Sequence, residues 1–196
     1  LSVTVSDRSG RTLSGQTLEA FLVSVAHADL FSVGLNCSFG ARDLIPFVDI
    51  LARRSPYYLS VYPNAGLPNS LGTYDQTPAE MAAEMKFFVD KGWVNVIGGC
   101  CGTTDEYIAL FSALAAQGRP HTPVQRPQHL CLSGLEPFEL TPEVRFVNVG
   151  ERCNVAGSRK FLRLIKEKQY DEALDIARKQ VDDGAMVIDI NMDDGL

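Results

Sequence analysis

The stretch TPAEMAAEMKFFVDKGWVNVIGGCC, residues 77–101, decides how the chain is read. Thr77 stands where a helix N-cap belongs, Pro78 at the first helical position and Glu80 at the capping-box position. Gly92 follows the last turn, where a left-handed cap ends a helix. The short apolar run Trp93 to Ile97 then reads as a strand, and it ends in a glycine-flanked pair of cysteines.

Working outward, the same alternation recurs. Strands are expected at Ser2 to Ser6, Phe31 to Asn36, Tyr57 to Tyr62 and Trp93 to Ile97, with helices from Thr17 to Ala28, Ala41 to Arg53, Pro78 to Lys91 and Asp105 to Ala116. Repeated βα units of roughly thirty residues imply an α/β fold with a parallel sheet. An eight-unit barrel needs about 250 residues, so four units amount to half of one. From Gln117 to Pro142 the period is lost and Pro120, Pro123, Pro127, Pro137 and Pro142 appear, which reads as a stiff connector. A second β/α domain follows, with strands at Val144 to Gly150 and Ala185 to Asn191 and helices at Ser158 to Lys168 and Asp171 to Asp183. The expected domains are therefore 1–116, a linker at 117–142, and 143–196.

Composition narrows the function. The 196 residues are 45% hydrophobic and 21% charged, which fits a folded chain and argues against disorder. A net charge of −6 with interspersed signs offers no basic stripe, so no nucleic-acid partner is expected. No apolar run is long enough for a bilayer and the first residues lack a signal-peptide pattern, so a soluble, cytoplasmic protein without a membrane partner is expected. The chain begins without Met and stops just after a strand-like run, and is expected to be a fragment.

Five cysteines, two of them adjacent, make a poor disulfide framework and suggest reduced thiols or a metal. Asn36-Cys37-Ser38 matches a glycosylation sequon, here taken as coincidence. Cys37, in Gly34-Leu-Asn-Cys37, and Cys100 and Cys101, in Gly98-Gly-Cys-Cys-Gly-Thr-Thr104, all follow expected strand ends, where parallel barrels carry their active sites. Neighbouring strand residues face opposite ways, so both cysteines reach one ion only if the backbone turns, which Gly98, Gly99 and Gly102 permit. Three thiolates at about 2.3 Å then suit zinc with a fourth position free. The plain alternative is a small buried Cys37 and a tight Gly-Gly-Cys-Cys turn.

These segments, with Gly10-Arg-Thr-Leu-Ser-Gly15 and Tyr62-Pro-Asn-Ala-Gly-Leu-Pro-Asn69, closely resemble the homocysteine domain of the cobalamin-dependent methionine synthase family. Phe146-Val-Asn-Val-Gly-Glu-Arg-Cys-Asn-Val-Ala-Gly-Ser158 and Asp189-Ile-Asn-Met-Asp193 are similar to the first two strand ends of that family's pterin barrel. The resemblance implies the C-terminal half of one (β/α)8 TIM barrel followed by the first βα units of a second. It implies that Cys37, Cys100 and Cys101 bind zinc and activate the homocysteine thiol. It also implies methylcobalamin on a cobalamin domain outside this chain, and 5-methyltetrahydrofolate as methyl donor, with the fragment inactive alone. Glu151, Asn154, Asp189 and Asn191 are the candidate pterin-site residues, able to hydrogen-bond a pterin's amide-like edge. Glu151 with Arg152 could instead be a structural ion pair, and Asn154 a cap.

His27, His121 and His129 are scattered and read as exposed or capping, while Cys131 and Cys153 read as ordinary thiols. Pro63 to Gly66 is a turn at a strand end that could line a substrate pocket, and Asn36 could orient Cys37. Two other functions stay open: a corrinoid-independent, zinc-dependent homocysteine S-methyltransferase, against which the pterin-like segment argues, and a non-catalytic structural zinc module.

Overall fold

A computed structural model describes residues 1–193; residues 194–196, the end of the expected second domain, lie outside the described residues. The chain divides into two compact units, Leu1–Leu140 and Thr141–Leu196.

The first unit alternates strand and helix: β1 (Ser2–Val3), α1 (Leu18–Ser24), β2 (Ser32–Gly40), α2 (Ala41–Arg54), β3 (Tyr58–Asn64), α3 (Pro78–Lys91), β4 (Val96–Ile97) and α4 (Asp105–Ala115). The strands form one parallel sheet in the order β1-β2-β3-β4. This is the expected α/β architecture, and no closed barrel is formed among the described residues.

Local chemistry sets the helix ends. The Thr77 hydroxyl accepts from the Glu80 N–H and the Glu80 carboxylate accepts from the Thr77 N–H, while Gly92 takes φ 65° beyond the last turn of α3. Helix α1 stops four residues short of the expected Ala28. There the Ser24 hydroxyl donates to the Phe21 carbonyl and the His27 ring lies 3.0 Å from the Ser24 carbonyl, so side chains compete for the helix's own acceptors. Strand side chains that alternate toward the helices, Val33 and Leu35 on β2 and Leu59 and Val61 on β3, meet Leu18, Leu44, Leu51, Met81, Met85 and Phe88 in one core. Burying each such side chain contributes about 1.5–3 kcal/mol, which is what fixes the sheet beneath its strand ends.

The proline-bearing segment differs from a bare connector. Cys131–Ser133 (β5) and Pro137–Glu139 (β6) form an antiparallel hairpin, and the Ser133 hydroxyl donates to the Ala20 carbonyl of α1. The hairpin therefore belongs to the first unit.

The second unit holds β7 (Val149–Asn154), α5 (Arg159–Lys166), α6 (Tyr170–Asp182) and β8 (Val187–Asn191), with β7 and β8 parallel. The strand expected at Val144 to Gly150 instead starts at Val149 and runs through Gly-Glu-Arg-Cys-Asn, because β8 offers ladder partners from Val187 to Asn191. A small core of Cys153, Val155, Phe161, Leu164 and Ala173 joins its helices to β7. No helix among the described residues is long and apolar enough to cross a membrane.

Candidate metal centre

The site sits at the C-terminal ends of β2, β3 and β4. Between Asn36 and Gly40 the β2 ladder breaks: residues 37–39 span the step that Pro63 alone spans on β3. Cys37 and Ser38 there take φ 63° and 62°, the left-handed region that non-glycine residues rarely occupy. The kink turns Cys37 out of the regular strand. Beyond β4, only Gly102 of the three flanking glycines uses left-handed freedom, at φ 81°. Gly98 and Gly99 matter for a different reason, since a Cβ there would lie 2.7 Å from the Tyr62 ring and 2.5 Å from the Thr103 side chain.

The result is a cluster of three half-buried thiols. Sγ of Cys101 lies 3.7 Å from Sγ of Cys37 and 3.9 Å from Sγ of Cys100, and all three sulfurs fall within 4.8 Å of one another. Ligands at about 2.3 Å from a tetrahedral zinc stand about 3.8 Å apart, so the sulfur spacing fits one shared ion. The expected trio is thus brought together, and the cluster is a possible metal site.

The loop after β3 frames the pair on β4. The Cys100 N–H donates to the Pro63 carbonyl (2.8 Å), the Ala65 N–H to the Cys101 carbonyl (2.9 Å), and the Cys101 N–H to Oδ1 of Asn64 (3.1 Å). Burial would raise the Cys37 thiol, but hydrogen bonds from the Ser38 backbone, Cys101, Cys100 and Asn64 outweigh it and lower its pKa. Burial and the two neighbouring sulfurs push Cys100 up to about 11. Tyr74 reaches the same cluster: a hydrogen bond to Cys101, burial and the three sulfurs' charge raise its hydroxyl above the phenol range. Asn64, Tyr74 and Ser38 carried no separate sequence signal; only the Pro63 to Gly66 turn pointed to this loop.

Asn36 accepts a hydrogen bond from the Ser2 hydroxyl at 2.7 Å. None of the histidines belongs to the cluster. His27 is exposed, and His129 pairs with Glu139 at 3.3 Å. His121 departs from expectation: it is only 6% exposed, and burial lowers its pKa. Cys131 and His129 line a separate cavity of about 230 Å³ with Arg54 and Glu139.

Residues 1–115, more than half of the sequence, match the model of the homocysteine S-methyltransferase family. The chain belongs to that family. Residues 150–195 match the pterin binding enzyme family. A homocysteine S-methyltransferase domain followed by a pterin-binding domain supports methyl transfer involving homocysteine and a folate.

In the pterin-family segment, Asn154 and Asn191 are opposite one another in the β7–β8 register, and Nδ2 of Asn191 lies 3.3 Å from Oδ1 of Asn154. That oxygen also accepts from the Ala156 and Gly157 N–H groups at 2.9 and 2.8 Å, so Asn154 shapes its own turn. Glu151 and Asp189 are exposed. Gln180 of α6 braces the bulge between Gly150 and Cys153, its Oε1 accepting from the Arg152 N–H at 2.7 Å and its Nε2 lying 3.3 Å from Sγ of Cys153.

Proposed function

We propose that Cys37, Cys100 and Cys101 hold one zinc ion whose fourth position takes the sulfur of homocysteine, and that the chain is part of a cobalamin-dependent methionine synthase. The reading rests above all on the sulfur spacing, 3.7 and 3.9 Å, at the strand ends of a homocysteine S-methyltransferase domain. When bound, zinc supplies Lewis acidity that lowers the pKa of a coordinated thiol. Three thiolate donors leave the site electron-rich, so homocysteine held there remains nucleophilic toward a methyl group. No histidine belongs to the cluster, and a thiol bound to zinc there would have its proton acidified by the metal rather than taken by a histidine base. Asn64 and the backbone of Pro63 and Ala65 hold the Cys100–Cys101 turn that would carry two of the zinc ligands.

In this reading residues 1–116 are the C-terminal half of a (β/α)8 barrel and residues 143–196 open a second, pterin-binding barrel. Glu151, Asn154, Asp189 and Asn191 are proposed to face 5-methyltetrahydrofolate, whose methyl group passes through cobalamin on another domain of the protein. A reducing, cytoplasmic setting would keep the thiols free for metal. The corrinoid-independent alternative is disfavoured by the pterin-family match at residues 150–195, and supplying methylcobalamin or a sulfonium compound as donor separates the two.

The decisive experiment is zinc content with and without each thiol. In a version of the chain extended to complete the barrel, Cys37→Ser, Cys100→Ser and Cys101→Ser should each lose zinc and homocysteine methylation, while Cys131→Ser keeps both. X-ray absorption at the zinc edge should show four sulfur neighbours once homocysteine is added. An unchanged shell would mean a closed structural site, and zinc retained by Cys100→Ser would remove the assignment.

A further inference from the structure

We propose that Ser38 is a positioning residue of the thiol cluster: its hydroxyl, donated to the Val5 carbonyl, holds the left-handed turn that carries the Cys37 sulfur off β2 and toward Cys101. The inference rests on reading the cluster as the metal and homocysteine site.

Two successive residues at φ 63° and 62° without a glycine form a strained backbone, and such a turn persists only where its surroundings fix it. Ser38 supplies a fixing point. Its Oγ lies 2.5 Å from the Val5 carbonyl oxygen, a hydrogen bond joining positions 33 residues apart. Val5 is a firm anchor, 1% exposed and bridged antiparallel to Thr12, with the Ser6 N–H donating to the Arg11 carbonyl beside it. Within the same turn the Ser38 backbone N–H faces the Cys37 sulfur. Beyond it, Gly40 rejoins the ladder opposite Asn64, so the kink is closed at both ends. Without the Ser38 hydroxyl, residues 37 and 38 lose this long-range tether to Val5 and are held only by the ladder on either side of the kink. A regular strand would take the Cys37 side chain away from the Cys101 sulfur now 3.7 Å distant.

Phenylarsine oxide measures that separation without zinc or homocysteine, because it captures two thiols held close together. Two As–S bonds form, the thiol protons and the arsenical oxygen leave as water, and no redox change occurs. The measurement is made on the whole chain in a Cys100→Ser background, which leaves Cys37 and Cys101 as the close pair. Ser38→Ala should weaken arsenical binding about tenfold or more. Ser38→Gly, which takes the left-handed turn freely but cannot anchor it, should fall between Ser38→Ala and the parent. Circular dichroism on each sample measures the folded fraction. The proposal is overturned if Ser38→Ala binds the arsenical as the parent does, or loses binding only in proportion to a loss of folded chain. Failure of zinc to bind the protein with all three cysteines intact would overturn the functional reading and leave this inference standing.

Discussion

Cys37 and Cys100 differ as acids although they share one cluster. Hydrogen bonds from the Ser38 backbone and neighbouring side chains overcome burial and lower Cys37 below its ordinary 9.0, while burial and two adjacent sulfurs push Cys100 up to about 11. The thiolate is the reactive form, so as pH falls Cys37 stays reactive after Cys100 has been silenced by protonation. In the metal-free chain at pH 8, iodoacetamide should label Cys37 at least about tenfold faster than Cys100, read by peptide mass spectrometry. Equal labelling rates would mean that the hydrogen bonds do not set the difference. The three cysteines could be singled out in the sequence as thiols after strand ends, with a buried Cys37 and a tight turn as the plain alternative, and it was the resemblance to a known family that joined them as one site. Asn64, Ser38 and Tyr74 were not, because each acts through a contact that only folding creates. The Asn64 bond to Cys101 spans 37 residues, and no glycine marks the turn at Cys37 and Ser38.

Elements were readable where their limits are local. Helix α3 runs from Pro78 to Lys91 as expected, since Thr77, Glu80 and Gly92 specify both ends within the segment. Strands were less so, because a ladder ends where its partner does. β4 shrinks to Val96–Ile97, and β7 shifts onto the residues that β8 can pair. The β5–β6 hairpin escaped notice because three-residue strands in a proline-rich run leave no period to detect. The spacing between β2 and β3 is itself exacting: a Cβ on Gly34 would lie 2.0 Å from the Ser60 carbonyl oxygen. Gly34→Ala should therefore destabilise the chain by about 1–3 kcal/mol through overpacking, more than the roughly 1 kcal/mol expected for Thr77→Ala at a helix cap. Urea unfolding of both variants checks the order, and a milder Gly34→Ala would show that the strands can part without cost.

For the molecule as a whole, the question is what four parallel strands can support. The order β1-β2-β3-β4 leaves β1 and β4 each with one neighbour in the sheet, and barrel closure takes eight βα units. Tyr58 on β3 and Val96 on β4 remain 42% and 37% exposed, and Phe31 just before β2 is 76% exposed, its ring tilted 51° to that of Tyr58 at 5.2 Å between ring centroids. The unpaired edge of β4, where Val96 is exposed, favours pairing with another copy. The 196-residue chain alone should therefore keep its helices and strands by circular dichroism, sediment as oligomers rather than as a single 21.4 kDa species, and transfer no methyl group from methylcobalamin to homocysteine. A version extended until eight βα units surround the thiols should sediment as a monomer of the barrel and transfer the methyl group. Turnover by a monomeric 196-residue chain would show that four strands suffice to build the homocysteine site, and the barrel reading would have to be abandoned.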